Sequence, residues 1–165
     1  MFQKTEIPLT QNKIALIDKE KFDLVSQFKW HARKDRHIFY ASTNTKNCNG
    51  TRLYLSMHRL IMQPPNDLQI DHINGDGLDN RLENLRIVYK AQNLFNQRKR
   101  AKNTSSQYKG VYLHKKKQKW QAQIQHNKKV IYLGYFHKEK DAARAYDMKA
   151  RELFGEYACL NFKGN

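Results

Sequence analysis

A surplus of sixteen positive charges limits how this chain can fold. Its 165 residues carry 31 Lys and Arg against 15 Asp and Glu. Self-repulsion on that scale works against a compact free state. Only 39% of the residues are apolar, which leaves little for one large core. Small modules, stabilised in part by a polyanion, are the expectation. Three polyanions come into question. An anionic membrane calls for a basic amphipathic helix with a bulky apolar face, and none stands in the sequence. RNA held in the RNP manner calls for exposed aromatics on a four-stranded sheet, a pattern also missing. Double-stranded DNA is the expected partner, with no obligate protein partner and no membrane. No apolar run is long enough to span a bilayer. The opening MFQKTEIPLT is polar and lacks a secretory pattern. Cys48 and Cys159 make no CxxC pair, which excludes a four-cysteine zinc site and suits a reducing cytoplasm.

The expected fold class is α+β, in three pieces. Residues 1–57 read as a small β-rich unit, with strands at Ile14–Ile17, Phe28–Ala32 and His37–Ala41 and a clear turn at Asn44–Gly50. Residues 58–102 read as strand, loop, strand, helix. Pro64 and Pro65 end any helix begun at Ser56. Leu68–Ile73 and Leu85–Val88 are the strands, Gly75-Asp76-Gly77 the turn, and Lys90–Arg100 the helix. Residues 103–165 read as three antiparallel strands (Tyr108–Leu113, Trp120–Gln125, Val130–Tyr135). A helix with apolar positions at Ala142, Tyr146, Ala150, Leu153 and Phe154 follows, and Gly155 stops it. Trp120, Ala142, Ala145 and Tyr146 are expected to pack that helix on the sheet. Between the last two pieces runs RKRAKNTSS, residues 98–106. It is either a solvated connector or a strap in which Arg98 and Arg100 touch phosphate.

The chemistry concentrates in DHINGDGLDNRLENLRIVYKAQNLFN, Asp71 to Asn96. Hydrolysing a phosphodiester requires a deprotonated water, neutralised phosphate charge and a stabilised leaving oxygen. A histidine, with an ordinary pKa near ~6.5, suits the first task. A hard divalent cation held by oxygen suits the other two. Asp71 offers a charged oxygen and the asparagines neutral ones. One such ion, magnesium or manganese rather than structural zinc, is the expected cofactor. A calcium EF-hand is excluded, because counting from Asp71 puts Ile73 third and Leu82 twelfth. Neighbours on a regular strand point to opposite faces, so Asp71 and His72 can share a site only where the strand bends or ends.

Asp71-His72, Asn80-Arg81, Glu83-Asn84-Leu85-Arg86, Gln92-Asn93 and Asn96 together resemble the HNH endonuclease family, in the subgroup of phage and intron homing enzymes. The resemblance covers about residues 55–98. It implies a ββα unit around a single metal ion, with His72 as general base, Asn84 orienting its imidazole, and Asp71 and Asn93 as metal ligands. It also implies a cytoplasmic place, in a bacterium or a phage-infected cell. Asn80 is read as shaping the loop. His58 is a secondary candidate, structural or phosphate-binding. Asn96, one helical turn past Asn93, could reach DNA or cap a strand.

Tyr108-Lys109-Gly110-Val111, Lys119-Trp120-Gln121-Ala122-Gln123-Ile124, Leu133-Gly134-Tyr135-Phe136, Asp141–Asp147 and Phe154–Phe162 resemble the AP2 DNA-binding domain. That family lays three strands in the major groove and braces them with the helix. The residues implied to face DNA are Lys109, Tyr112, His114, Lys119, Gln123, Gln125 and Tyr132. Tyr112, Gln123 and Gln125 replace residues charged in the plant factors, so the sequence those factors read does not carry over. The expected function is a site-selective, homing-type DNA endonuclease. The alternative is a non-catalytic transcription regulator, which loss of Asp71 or His72 would favour; both are present.

Overall fold

The computed structural model describes residues 3–46, 48–96 and 104–162. The chain is α+β, built from several small antiparallel sheets and few helices. It divides into two compact units, Met1–Asn93 and Leu94–Asn165. No described helix is long and apolar enough to cross a membrane.

The first unit opens with a hairpin of β1 (Lys4–Pro8) and β2 (Ile14–Asp18), registered Lys4 to Asp18. Gln11 and Asn12 turn it with positive φ of 61° and 51°. A short helix α1 (Phe22–Ser26) follows. Next comes a three-stranded meander of β3 (His31–Asp35), β4 (Ile38–Lys46) and β5 (Arg52–Ser56). The expected strand at residues 28–32 begins only at His31, because Trp30 turns inward and donates its indole N–H to the Val25 carbonyl at 2.8 Å. The expected turn at Asn44 begins after Lys46, since β4 keeps pairing as far as Arg52. Helix α2 (Met57–Met62) ends at Gln63, left-handed at φ 44°, ahead of the two prolines.

Strands β6 (Gln69–His72) and β7 (Leu85–Val88) pair antiparallel, and α3 (Lys90–Phe95) follows. One core serves residues on both sides of position 57: Ile17, Val25, Trp30 and Ala41 pack with Met57, Ile61, Ile70 and Leu85. The long loop between β6 and β7 docks on β2. Leu16 N donates to the Leu78 carbonyl (2.8 Å), Asn80 N to the Leu16 carbonyl (2.7 Å), and Leu82 N to an Asp18 carboxylate oxygen (2.8 Å).

The second unit is a sheet of β8 (Val111–His114), β9 (Lys119–His126) and β10 (Lys129–Phe136), in that order, with α4 (Glu139–Phe154) against one face. Val111, Ala122 and Ile124 meet Ala142, Ala143, Tyr146, Ala150 and Phe154, with Trp120 alongside. Gly110 is needed where Tyr146 packs, since a Cβ there would sit 2.0 Å from the ring. After α4 the chain returns to the sheet. Buried Asp147 accepts from Asn161 N (2.8 Å) and Phe162 N (2.9 Å), while Asn161 accepts from Lys109 N (2.6 Å).

Candidate functional site

Asp71 and His72 are the last two residues of β6. Ending there removes the alternation problem, because the chain turns at once: Gly75 N donates back to the His72 carbonyl (2.8 Å) and Ile73 N to the Asn84 carbonyl (2.9 Å). Both side chains are only 6% exposed. Asp71 is registered opposite Arg86. Arg86 donates Nε (2.9 Å) and Nη2 (2.6 Å) to its Oδ2. Asn93, on α3, donates Nδ2 to Oε1 of Gln69 at 2.8 Å. Gln69 lies two residues before Asp71 on β6, hence on the same face. Asp71 and Asn93 are thus neighbours of one strand face.

His72 belongs to a cluster of three rings. Its ring centroid is 5.2 Å from that of His58, edge to face, and 5.8 Å from that of Tyr40. Tyr40 and His58 are 5.8 Å apart. Asn80 is fully buried and donates Nδ2 to the Leu78 carbonyl (3.0 Å), which fixes its amide; Oδ1 then faces His72 Nε2 at 3.5 Å. An amide oxygen can only accept. This long contact suits a proton on Nε2. Burial pushes the His72 pKa down from 6.5, opposed by the Asn80 contact and by Asp71, Asp76 and Asp79. Burial, with His72 and Arg59 next in effect, pushes His58 down to about 3. The His58 Nδ1 is buried and has no hydrogen-bond partner among the described residues.

The loop between β6 and β7 is built from its own polar side chains. Asn84 accepts from Asn74 N (2.9 Å) and donates to the Asp79 carbonyl (2.7 Å), bracing the loop at both ends. Asn74 and Asp76 each accept from a backbone N–H two residues on, at 2.8 and 3.0 Å, as such residues do in turns. Asp79 holds Arg81 through two bonds of 2.8 Å. The Arg81 hydrogen bonds hold the Asp79 carboxyl below its ordinary pKa. Of the two asparagines, Asn80 faces the imidazole, and Asn84 fastens the loop beneath it.

The oxygen donors that could hold a cation are the Asp71 carboxylate and the Asn93 carboxamide. Among the described residues no group of three or more His, Cys, Asp or Glu could hold a metal ion. A cation here would take most of its ligands from water or phosphate, which suits a hard ion and not structural zinc. Arg86 contacts Asp71 Oδ2 in this arrangement.

In the second unit, the sheet face turned away from α4 carries Tyr112, His114, Lys119, Gln123, Gln125 and Tyr132. Their register partners place them together: His114 opposite Lys119, and Tyr132 opposite Gln123. Gln121 and Tyr135 lie on the same face and were not expected. Gln121 was signalled by simple alternation from Lys119. Tyr135 was not, because it stands an odd three positions after Tyr132. A register shift at Gly134, with φ 123°, brings both rings to one side, 5.3 Å apart. Tyr112 donates its hydroxyl to Gln123 Oε1 at 2.7 Å. Lys109 precedes the sheet and is half-buried; burial lowers its pKa. Arg98 and Arg100 lie outside the described residues. Asn96 ends the described part of its segment and is half-buried.

Comparison with known proteins bears on both regions. A model of the HNH endonuclease family matches residues 57–94. An uncharacterized HNH endonuclease of Acanthamoeba polyphaga mimivirus is 31% identical over 156 residues, covering 89% of this chain and 74% of that protein. An ethylene-responsive transcription factor of Arabidopsis thaliana is 27% identical over 156 residues, 84% of this chain and 36% of that protein. An APETALA2-like protein of Oryza sativa subsp. indica is 46% identical over 61 residues, in the C-terminal region, 36% of this chain and 14% of that protein. The chain spans little more than a third, or less, of these plant proteins.

Proposed function

The chain belongs to the HNH endonuclease family, and on that premise we propose that it is a site-selective, homing-type endonuclease that hydrolyses double-stranded DNA with one divalent ion and a histidine base. The observation that carries this reading is His72: a buried imidazole, held towards its neutral form, at the end of the strand that also delivers Asp71. A neutral imidazole at working pH can take a proton from water. Asn80 stands 3.5 Å from Nε2 and helps to orient the ring. The loop braced by Asn84 keeps Asn80 in place. His58 and Tyr40 wall the imidazole and limit its rotation. Asp71 and Asn93 would hold magnesium or manganese, which, when bound, supplies charge for the phosphate and leaving oxygen.

Two pieces divide the work in this reading. The ββα piece, β6, β7 and α3, cuts. The AP2-like piece, residues 103–165, reads the site, with Gln123 and Gln125 facing adenine edges and the tyrosines facing thymine methyls or phosphate. The experiment is a supercoiled-plasmid nicking assay. Nicking should appear with magnesium or manganese, stop with chelator, and return when the ion is restored. Plasmid bound but never nicked under any divalent ion would turn the reading to a transcription regulator.

A further inference from the structure

Of residues 28–56 only Tyr40 joins the site as described, yet the charge of the segment is lopsided. Six cations, Lys29, Arg33, Lys34, Arg36, Lys46 and Arg52, stand against one acid, Asp35. Their distribution over the sheet β3–β4–β5 is set by register. Directly opposed residues of antiparallel strands share a face. Arg33 opposes Tyr40, Asn44 opposes Tyr54, and Lys46 opposes Arg52. Arg33, Lys46 and Arg52 therefore share one face with Tyr40, Asn44 and Tyr54, because the β4 residues among them alternate in steps of two. The other face carries Ala41 and Leu55 into the core. The Arg33 face is therefore open, basic and aromatic, and at its inner end stands Tyr40, whose ring touches both histidines of the site.

Arg33 is arranged on that face. Its guanidinium lies over the Tyr54 ring, 4.6 Å from the centroid. Tyr54 is held in turn by a hydroxyl–hydroxyl bond to buried Ser42. Stacking flattens a guanidinium against its support and leaves the N–H fork at its edge for a planar anion. Asp35 stands 3.9 Å from Arg33, with the two side chains 48% and 55% exposed, a contact too wet to hold the arginine. From Tyr40 to Lys46, β4 runs roughly 20 Å. Phosphates on one DNA strand recur every ~3.4 Å of helix axis, so this length can meet several.

We propose that the Arg33 face of β3–β4–β5 is a phosphate-binding platform, on which the DNA strand being cut lies with its backbone on Arg33, Lys46 and Arg52. Arg33 holds a phosphate close to the scissile one, and the Lys46–Arg52 pair holds one farther along. The chemistry recognised is the phosphodiester backbone, so the platform carries no sequence choice. This rests on the nuclease reading above for where the cut falls, but not for whether DNA binds the face.

The opposite face of the same sheet supplies a matched control. Lys13 and Lys34 lie against the Phe39 ring, at 4.8 and 5.5 Å, away from Tyr40. Two full-length double variants, Arg33→Gln with Arg52→Gln and Lys13→Gln with Lys34→Gln, remove equal charge, the second from the Phe39 side and the neighbouring β1–β2 turn. Duplex binding is followed by fluorescence anisotropy across a salt series, and nicking by plasmid assay with magnesium. The first variant should lose about 1.8 from the slope of log affinity against log salt, at ~0.9 per lost contact. Its nicking should fall at least roughly tenfold through misplaced phosphate. The second should leave the slope at its wild-type value and nicking within about twofold of wild type. Arg33→Lys keeps the charge and the fold but loses the fork; it should keep the salt slope while nicking falls. Equal slopes for the two double variants, or a wild-type slope in the first, would overturn the platform. A wild-type protein that binds DNA but never nicks would sink the nuclease reading alone, and the anisotropy arm would still decide the platform.

Discussion

At the scale of single residues, Gly77 shows how tightly the site is drawn together. A Cβ on it would come within 2.5 Å of the Phe39 carbonyl and 2.6 Å of the Tyr40 ring. The Phe39 carbonyl is backbone and cannot rotate away. Gly77→Ala should therefore push the β6–β7 loop off β4. Overpacking of this kind costs about 1–3 kcal/mol, read as a lower thermal midpoint. Nicking should fall further than that loss of stability explains, because the same loop carries Asn80 to His72. His72→Ala should abolish nicking, a loss on the order of 10²–10⁴-fold for a missing general base, while anisotropy finds DNA affinity within about a few fold. Unchanged nicking would mean that another group takes the proton. Asp71→Ala should cost more metal-dependent activity than Asn93→Ala, because a carboxylate draws the cation and water can replace a carboxamide. A manganese titration of each variant decides it: equal rescue of both by excess ion would argue that Asp71 is no direct ligand.

At the scale of elements, α2 matters because it buries His58 against the β6 terminus. Its pKa is driven to about 3, first by burial and then by His72 and Arg59. The unfolded chain keeps the ordinary value near ~6.5. Between those two values the unfolded state binds a proton that the folded state refuses, so stability rises with pH there. Stability is full above about pH 6.5 and is lost as pH falls towards 3, at no more than about 1.4 kcal/mol per pH unit for this one group. Denaturant unfolding at pH 4, 5 and 6.5 should reveal that slope. His58→Gln should flatten it, leaving the smaller part that His72 contributes in the same direction. A wild-type slope in the variant would show that His58 titrates normally in the folded protein.

At the scale of the whole molecule, cutting and site choice are expected to separate. The sheet face with Tyr112, Gln123, Gln125 and Tyr132 belongs to the second unit, and Asp71, His72 and Asn80 to the first. Replacing those four by alanine in the full chain removes base-edge contacts, each worth about 1–3 kcal/mol of discrimination. Cleavage mapping on a long duplex should then show scattered nicks at low salt where wild type prefers one site. Preserved site choice would assign sequence reading to the first unit. The charge of +16 makes every such assay salt-sensitive, so the comparison belongs at fixed ionic strength.

Much of the chain's local structure was readable in the sequence, because it is dictated by local chemistry. The short strand read at Leu85–Val88 became β7 without change, Pro64-Pro65 closed α2, and the 3.6-residue rhythm from Ala142 to Phe154 became α4 up to Gly155. The polar residues of the candidate site could be picked out as a group too, because Asp71 to Asn96 holds them in one short string. What the sequence alone did not yield depends on residues far apart in the chain. β1 and β5 mix charged, polar and apolar residues and stand out only when partners pair with them. Tyr40 joins His58 and His72 only because a three-stranded sheet folds over β6. Tyr135 reaches the open face through a register shift that alternation does not anticipate. The loop that fixes His72 is itself fixed by Leu16 and Asp18, some sixty residues earlier. Spacing along the chain determines an element and the chemistry it can offer. Which elements meet is decided by the shared core of Ile17, Trp30, Met57 and Leu85, because apolar burial is non-directional and selects its partners only when the whole unit closes.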